Sequence, residues 1–333
     1  MYNTLLVEKL IPGYWDFIKY GELYYFDQIK HFREEHMPKA SLKHQYSSNQ
    51  PKVNDADMFA FGDSFFDISR PTQYPTVLAG TLHKKVHFGY YDYPLQYLHE
   101  HGYKGNKPTV LVMGIVERFI SMKFSKPHPL FGKAKHDSSE LRKVGKKVKD
   151  FVFYSKGEKL YDALLKKSYL SSAIYSEIAT LKFDWFGYIS HFTPLYCLND
   201  SLPWLFIHDS VNDQNTSFYY HHTDSDINNI CNNIEDLAQK LHNEFNIHLV
   251  FIPIPAKYTL YHTKINNDKY NNFIPRLQRG LKQRNVSYID LYSEFTKADQ
   301  LLYYGTDAHW NEKGMKLAVD LTARYLKENK LIR

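Results

Sequence analysis

The sequence predicts an α/β protein built on a parallel sheet. The unbroken apolar run Thr109-Val110-Leu111-Val112-Met113-Gly114-Ile115-Val116 suits a central parallel strand, which is buried on both faces and therefore shows no alternation of apolar and polar residues. A second run, His248-Leu249-Val250-Phe251-Ile252-Pro253, is of the same kind. Between and around these runs lie segments whose apolar residues recur at helical spacing, and strands alternating with helices are the pattern of crossover connections on a parallel sheet.

Taken in order, residues 1–55 form an N-terminal segment with a Tyr/Phe-rich helical stretch over 15–32 and a polar loop over 41–54. Residues 57–61 read as a short buried strand, Ser64 opens a turn, and 74–82 have helical spacing. Residues 86–88 are the next strand, ending at Gly89, and a helix over 94–101 leads through Gly102 and Pro108 into the central run. The rhythm resumes after residue 225, where Asp224, Ser225 or Asp226 caps a helix reaching about residue 245. The second apolar run follows, then a helix over 270–284, a strand over 286–291 and a final helix from 312 to about 329. Residues 123–223 interrupt the alternation with a basic helical part and an aromatic part over 183–220, and are read as an insertion into a domain spanning 56–333. Insertions at the carboxyl ends of parallel strands commonly wall ligand sites, so this one is the expected source of substrate specificity.

Composition narrows the function classes. A chain of 333 residues that is 43% hydrophobic has ample material for a buried core. Aromatic residues make up 16%, including 28 Tyr, which suits both buried rings with polar edges and exposed stacking platforms for sugars. The net charge of +6, from 42 basic and 36 acidic residues, is too small to imply a nucleic-acid partner. The basic excess is concentrated over residues 133–167, where a solvated helix face and a surface for an anionic polymer or membrane headgroups are the two readings. Cys197 and Cys231 are too few for a disulfide framework, although one bridge between them is allowed. No apolar run reaches the ~18 residues of a membrane span, and Met1-Tyr2-Asn3-Thr4-Leu5 opens no secretory leader, so the chain as it stands is expected to be soluble.

Two short segments carry chemistry. Phe61-Gly62-Asp63-Ser64-Phe65-Phe66-Asp67 places a serine on a strand-to-helix turn, and Gly305-Thr306-Asp307-Ala308-His309-Trp310-Asn311 supplies an Asp-x-His pair before the last helix. A serine hydroxyl is a weak nucleophile until an imidazole takes its proton, and the imidazole works best when a carboxylate fixes its tautomer. Ser64, His309 and Asp307 fit those roles, while Asp63 is expected to tie down the turn. Arg118 is read either as an oxyanion or substrate donor or as an ion-pair partner of Glu117 or another carboxylate; Lys257 either reaches the site from the end of a buried strand or lies on the surface. Trp310 either packs behind the triad or presents a sugar-stacking face, and packing is the role expected of it. His221 and His222 with Asp224 and Asp226 are not read as a metal site, because adjacent residues of an extended segment point opposite ways.

These motifs resemble the SGNH, or GDSL-type, hydrolase superfamily, with its early Gly-Asp-Ser and its Asp and His close together near the C-terminus. Asp307 to Asn311 with Gly314, Ile115-Val116-Glu117-Arg118, and Pro255-Ala256-Lys257-Tyr258 with Tyr261 are similar to segments of the SGNH-like domains of alginate-type polysaccharide O-acetyltransferases. The resemblance covers about residues 57–122 and 245–326. It departs from the superfamily in the one-residue Asp-to-His spacing and in Gly114-Ile115-Val116-Glu117-Arg118 where Gly-x-Asn-Asp is usual; in the alginate enzymes, moreover, the Asp-x-His segment precedes the serine.

The resemblance implies a three-layer parallel-sheet, flavodoxin-like SGNH fold with an insertion. It also implies a serine-dependent O-acetyltransferase or acetylesterase acting on a cell-surface polysaccharide or glycan through an acyl-enzyme. Gly89 would then be an oxyanion glycine, with Arg118 and Lys257 as oxyanion or substrate-binding groups. No metal or organic cofactor is required. The implied partners are a glycan acceptor and an acetyl donor, the latter delivered by a membrane protein, and the implied location is extracytoplasmic. The alternative is a non-catalytic glycan-binding or scaffold protein that keeps the fold.

Overall fold

The structure is a computed structural model that describes residues 20–36, 50–67, 73–90, 93–127, 169–197, 204–212 and 214–332. The basic run over 133–167, and the parts of the expected N-terminal helix and polar loop at 15–19 and 41–49, lie outside these residues. The chain divides into two compact units. The smaller comprises residues 1–37, 132–207 and 305–307; the larger comprises 38–131, 208–304 and 308–333.

In the smaller unit, helix α1 (Glu22–Asp27) is followed by a 3-10 turn over Lys30–Phe32. The backbone of Thr306 anchors the start of α1, its carbonyl accepting the Leu23 and Tyr24 amides at 3.1 and 3.3 Å. That approach requires a glycine, since a Cβ on Gly21 would stand 2.4 Å from the Thr306 carbonyl oxygen and the Gly21 backbone has φ +90°. The buried Phe32 ring packs edge-on against Phe183 and Tyr196.

The larger unit is the α/β body. Its first strand β1 (Met58–Gly62) leads into helix α2 (Tyr74–Leu82), strand β2 (Val86–Tyr90), helix α3 (Pro94–Glu100), strand β3 (Thr109–Val116) and helix α4 (Glu117–Phe124). The chain then passes through the smaller unit, with helix α5 (Tyr169–Phe186) and an antiparallel pair, β4 (Leu195–Cys197) and β5 (Trp204–Phe206). It returns as a short helix α6 (His208–Val211), the long helix α7 (Asp224–Phe245), strand β6 (Ile247–Ile254) and helices α8 (Lys257–Ile265) and α9 (Phe273–Gln283). Strand β7 (Ser287–Tyr288) and helices α10 (Leu291–Thr296) and α11 (Glu312–Glu328) follow.

The five-stranded sheet has the order β2-β1-β3-β6-β7, and every pairing is parallel. All residues of β1 and β3 are buried, as their unbroken apolar runs require. Helices cover the sheet in two groups, α2 with α11 and α7 with α4 and α9. This is the expected α/β architecture. Counting only sheet strands, its order is 2-1-3-4-5, so the connections leave β1 in one direction and β3 in the other, and the carboxyl ends of that pair are where open α/β sheets generally bind ligands.

Local chemistry adjusts the expected boundaries. Helix α7 is capped by Thr223, one residue before the three candidates. Its hydroxyl accepts the Asp226 amide while the Asp226 carboxylate accepts the Thr223 amide, a reciprocal capping box. Buried Ile227, Ile230, Ile234, Leu237 and Leu241 recur at helical spacing along its inner face. Strand β7 is two residues long where six are expected, because Asp290 turns the chain into α10 by accepting the Ser293 amide. Cys197 and Cys231 are both free thiols.

Candidate functional site

Gly62 and Gly114 face each other in the register of β1 and β3. Phe66 occupies the space that their missing side chains leave: a Cβ on Gly114 would stand 2.1 Å from its ring, and one on Gly62 would stand 2.5 Å from the Gly114 carbonyl oxygen. The ring packs under the turn that carries Ser64, so two glycines in otherwise apolar strands set the height of the Ser64 hydroxyl above the sheet.

Asp63 holds the turn from the other side. One carboxylate oxygen accepts the Phe65 amide at 3.0 Å and the other accepts the Val116 amide at 2.6 Å, while the Asp63 amide donates to the Gly114 carbonyl at 3.2 Å. The acid that precedes the serine thus joins the ends of β1 and β3. Ser64 begins the single 3-10 turn Ser64–Phe66 and is partly exposed.

His309 comes from the loop before α11. An isolated bridge between Tyr303 and Trp310 closes this loop, and the Tyr304 amide donates to the His309 carbonyl at 3.3 Å. Asn311 caps α11, its side-chain oxygen accepting the Lys313 and Gly314 amides at 3.0 Å while its amide nitrogen donates to the Leu301 carbonyl at 2.9 Å. Gly314 lets the first turn of α11 approach Leu302, whose carbonyl oxygen would be 2.2 Å from a Cβ at that position. Trp310 is fully buried, edge-on to Phe65 at 4.9 Å between centroids, which is the packing role expected of it. The motif residues around His309 therefore act mainly as its scaffold.

The two halves meet at 2.7 Å between His309 Nε2 and Ser64 Oγ. The His309 ring is buried and lies over Phe65 at 4.5 Å, so the imidazole is shielded while the hydroxyl remains partly open to solvent. Asp307 is buried in the smaller unit, where its carboxylate accepts the Glu22 amide at 3.1 Å.

Residues 202–333 match the family model of the SGNH hydrolase-like domain of the acetyltransferase AlgX. The resemblance read from the motifs is borne out over that part of the chain. The AlgX-like segment contains Lys257, Asp307 and His309, whereas Ser64, Gly89 and Arg118 precede it. No curated protein and no solved structure matches the chain.

The remaining expected site residues lie at the same edge of the sheet. Gly89 pairs with Phe61 near the end of β2, Arg118 follows β3, and Lys257 opens α8 just beyond β6. None of them bonds the Ser64 hydroxyl, whose partner is His309. Lys257 is 3% exposed, which removes the surface-lysine reading. Arg118 is also buried; its guanidinium lies over the Phe119 ring at 4.8 Å and its Nε has no hydrogen-bond partner. The alternative ion pair with Glu117 is not formed, because that carboxylate is engaged elsewhere.

Glu117 is the residue whose role the sequence did not reveal. Its oxygens accept the Tyr270 hydroxyl at 2.6 Å and the Ala256 amide at 3.0 Å. It thereby fastens the start of α8, and with it Lys257, to the end of β3. Burial holds its carboxyl above the usual 4.5, while these bonds pull the other way. An acidic residue directly after an apolar strand was the available signal. Its partner Tyr270, 153 residues further along, carried none.

Proposed function

We propose that this chain is a serine-dependent acyltransferase that moves acetyl groups onto hydroxyls of a polysaccharide, with hydrolysis as the competing outcome. The observation that carries the reading is the 2.7 Å bond between His309 Nε2 and Ser64 Oγ at the carboxyl edge of the sheet, a nucleophile and a base in contact. His309 takes the Ser64 proton as Oγ attacks the acetyl carbonyl, and then returns that proton to the leaving alcohol as the tetrahedral species collapses to an acetyl-serine. In the second half an acceptor hydroxyl loses its proton to His309 and attacks the same carbonyl, releasing Ser64. Asp307, two residues before His309 in the chain, is assigned the carboxylate role that fixes the imidazole tautomer. The Ser64 and Gly89 amides and the Arg118 guanidinium are assigned to the oxyanion. Glu117 positions Lys257 and touches no substrate.

Transfer is favoured over hydrolysis by the AlgX-like segment, since acyl-enzyme chemistry is common to both. An extracytoplasmic location and a membrane-delivered acetyl donor belong to the same reading. Among the described residues no helix is long and apolar enough to cross a membrane.

The test combines labelling and product analysis. A serine-directed fluorophosphonate should label Ser64, and Ser64→Ala should lower acyl transfer from 4-nitrophenyl acetate by about 10⁴-fold or more with an unchanged unfolding midpoint. Unchanged turnover in that variant would sink the enzymatic reading. Free acetate as sole product, with an oligosaccharide acceptor present, would replace transfer by hydrolysis.

A further inference from the structure

The smaller unit contains a cleft of about 400 Å³, well inside the ordinary size range of ligand pockets. Its walls are aromatic and aliphatic, with Phe26, Tyr175 and Tyr188 all partly or largely exposed. Beside it Phe26 stacks on Phe192 at 4.8 Å with rings 26° apart, and the last turn of α5 leaves Trp185 and Phe186 more than 70% exposed, at 73% and 76%. Exposed rings collected in one place on a folded chain mark a binding surface.

The floor is polar. Asp27 is buried there, its carboxylate accepting the Ser190 amide at 2.8 Å and the Thr193 hydroxyl, while the exposed Lys182 lines the rim from α5 with its amine 5.8 Å from the centre of the Tyr188 ring. Gln28 also lines the cleft, and its side-chain Oε1 is buried with no hydrogen-bond partner. Gln28 is the left-handed C-cap of α1, φ 52°, with its backbone amide donating to the Tyr24 carbonyl. The frame is fixed. The Lys30 amide donates to Thr180 Oγ1 at 3.0 Å, the Ser176 hydroxyl donates to the Gln28 carbonyl at 2.8 Å, and His31 and Asp184 bond at 2.7 Å, all tying α5 to the segment after α1.

We propose that this cleft is a binding site for a neutral oligosaccharide. A pyranose ring presents an apolar C–H face bordered by hydroxyls, which matches flat aromatic walls over a floor of carboxylate and amide groups with an amine at the rim. The orphan Gln28 Oε1 calls for a donor, and a sugar hydroxyl is one. An acyl chain or the apolar face of a helix offers that oxygen no donor. One acid at the floor and one base at the rim give no net preference for a charged ligand. The proposal stands apart from the acyl chemistry at Ser64.

The experiment uses the full chain carrying Ser64→Ala, so that no turnover consumes the probes. Cellohexaose, mannohexaose and hexa-N-acetylchitohexaose are titrated in turn by calorimetry and by ligand-observed NMR. At least one should bind. Tyr188→Ala and Phe26→Ala, both changes at exposed rings, should each weaken that binding at least tenfold, and Gln28→Leu at least threefold, with unfolding midpoints unchanged. Binding that all three variants leave intact would overturn the proposal, as would absence of binding to every hexasaccharide. Co-sedimentation with phosphatidylglycerol vesicles, or self-association lost in Tyr188→Ala, without saccharide binding would assign the surface to a membrane or a second copy and would also overturn it. Saccharide binding with no acetyl transfer by the unmodified chain would leave the cleft assigned and remove the function proposed for Ser64.

Discussion

At the scale of single residues, the site contrasts a partly exposed serine hydroxyl with a buried imidazole. Ser64 and His309 are 245 positions apart, and their bond depends on two constructions that hold each loop independently. Phe66 seated on Gly114 is the more demanding of these, because a methyl at Gly114 has nowhere to go. Gly114→Ala is expected to destabilise the fold by about 1–3 kcal/mol and to reduce acyl transfer by displacing the serine turn; urea unfolding and initial-rate assays on one preparation would show both. A wild-type midpoint would mean that Phe66 does not set the turn. Glu117 offers a separate readout. Since its folded carboxyl titrates above the usual 4.5, the folded chain binds a proton that the unfolded chain has released. Its contribution is therefore most favourable below that pH and declines as pH rises through the folded value. Relative to Glu117→Gln, which does not titrate, the wild type should lose stability as pH is raised from 4 to 8. A difference that stays constant across that range would contradict the assignment.

At the scale of elements, helices and strands carry their own punctuation, and α7 is the clearest case. Its Thr223–Asp226 box satisfies donors that a helix start otherwise leaves open, and Thr223→Ala should cost about 1 kcal/mol. Thermal unfolding monitored by circular dichroism measures that, and Thr223→Ser should recover most of it. The sequence placed this cap one residue late because three acidic or hydroxylated residues follow Thr223 and any of them satisfies the general preference; only the reciprocal bond selects among them. Strands β1, β3 and β6 were legible because burial on both faces demands continuous apolar runs. Strand β7 was less so, being short and half-buried at the sheet edge and ended by the cap of α10.

For the molecule as a whole, burial of neutral histidines makes folding sensitive to acid. His87 donates from Nδ1 to the Pro51 carbonyl at 2.8 Å, which leaves Nε2 to accept the Tyr97 hydroxyl at 2.8 Å, so the neutral ring is fully satisfied. Burial holds both His87 and His222 below their ordinary 6.5. The stability each contributes is complete above that value and is lost as pH falls through the folded value, because the unfolded chain binds the proton more readily. The urea midpoint of His87→Gln should therefore fall less than that of the wild type between pH 7.5 and 5; equal losses would exclude His87 as a source. The α/β class was legible in the sequence alone, because two-sided burial imposes unbroken apolar strands, and Ser64, Asp307 and His309 stood out there as candidates, because few residue types suit the proposed acyl chemistry. The folded arrangement was needed to show that Glu117 is a fastener, that Asp63, expected to tie down its own turn, also reaches the Val116 amide, that Lys257 and Arg118 are buried and that Phe66 needs two glycines beneath it. It also gathered Phe26, Tyr175 and Tyr188 around one cleft. Each of these depends on the distance between residues far apart in the chain, which local propensity and spacing do not encode.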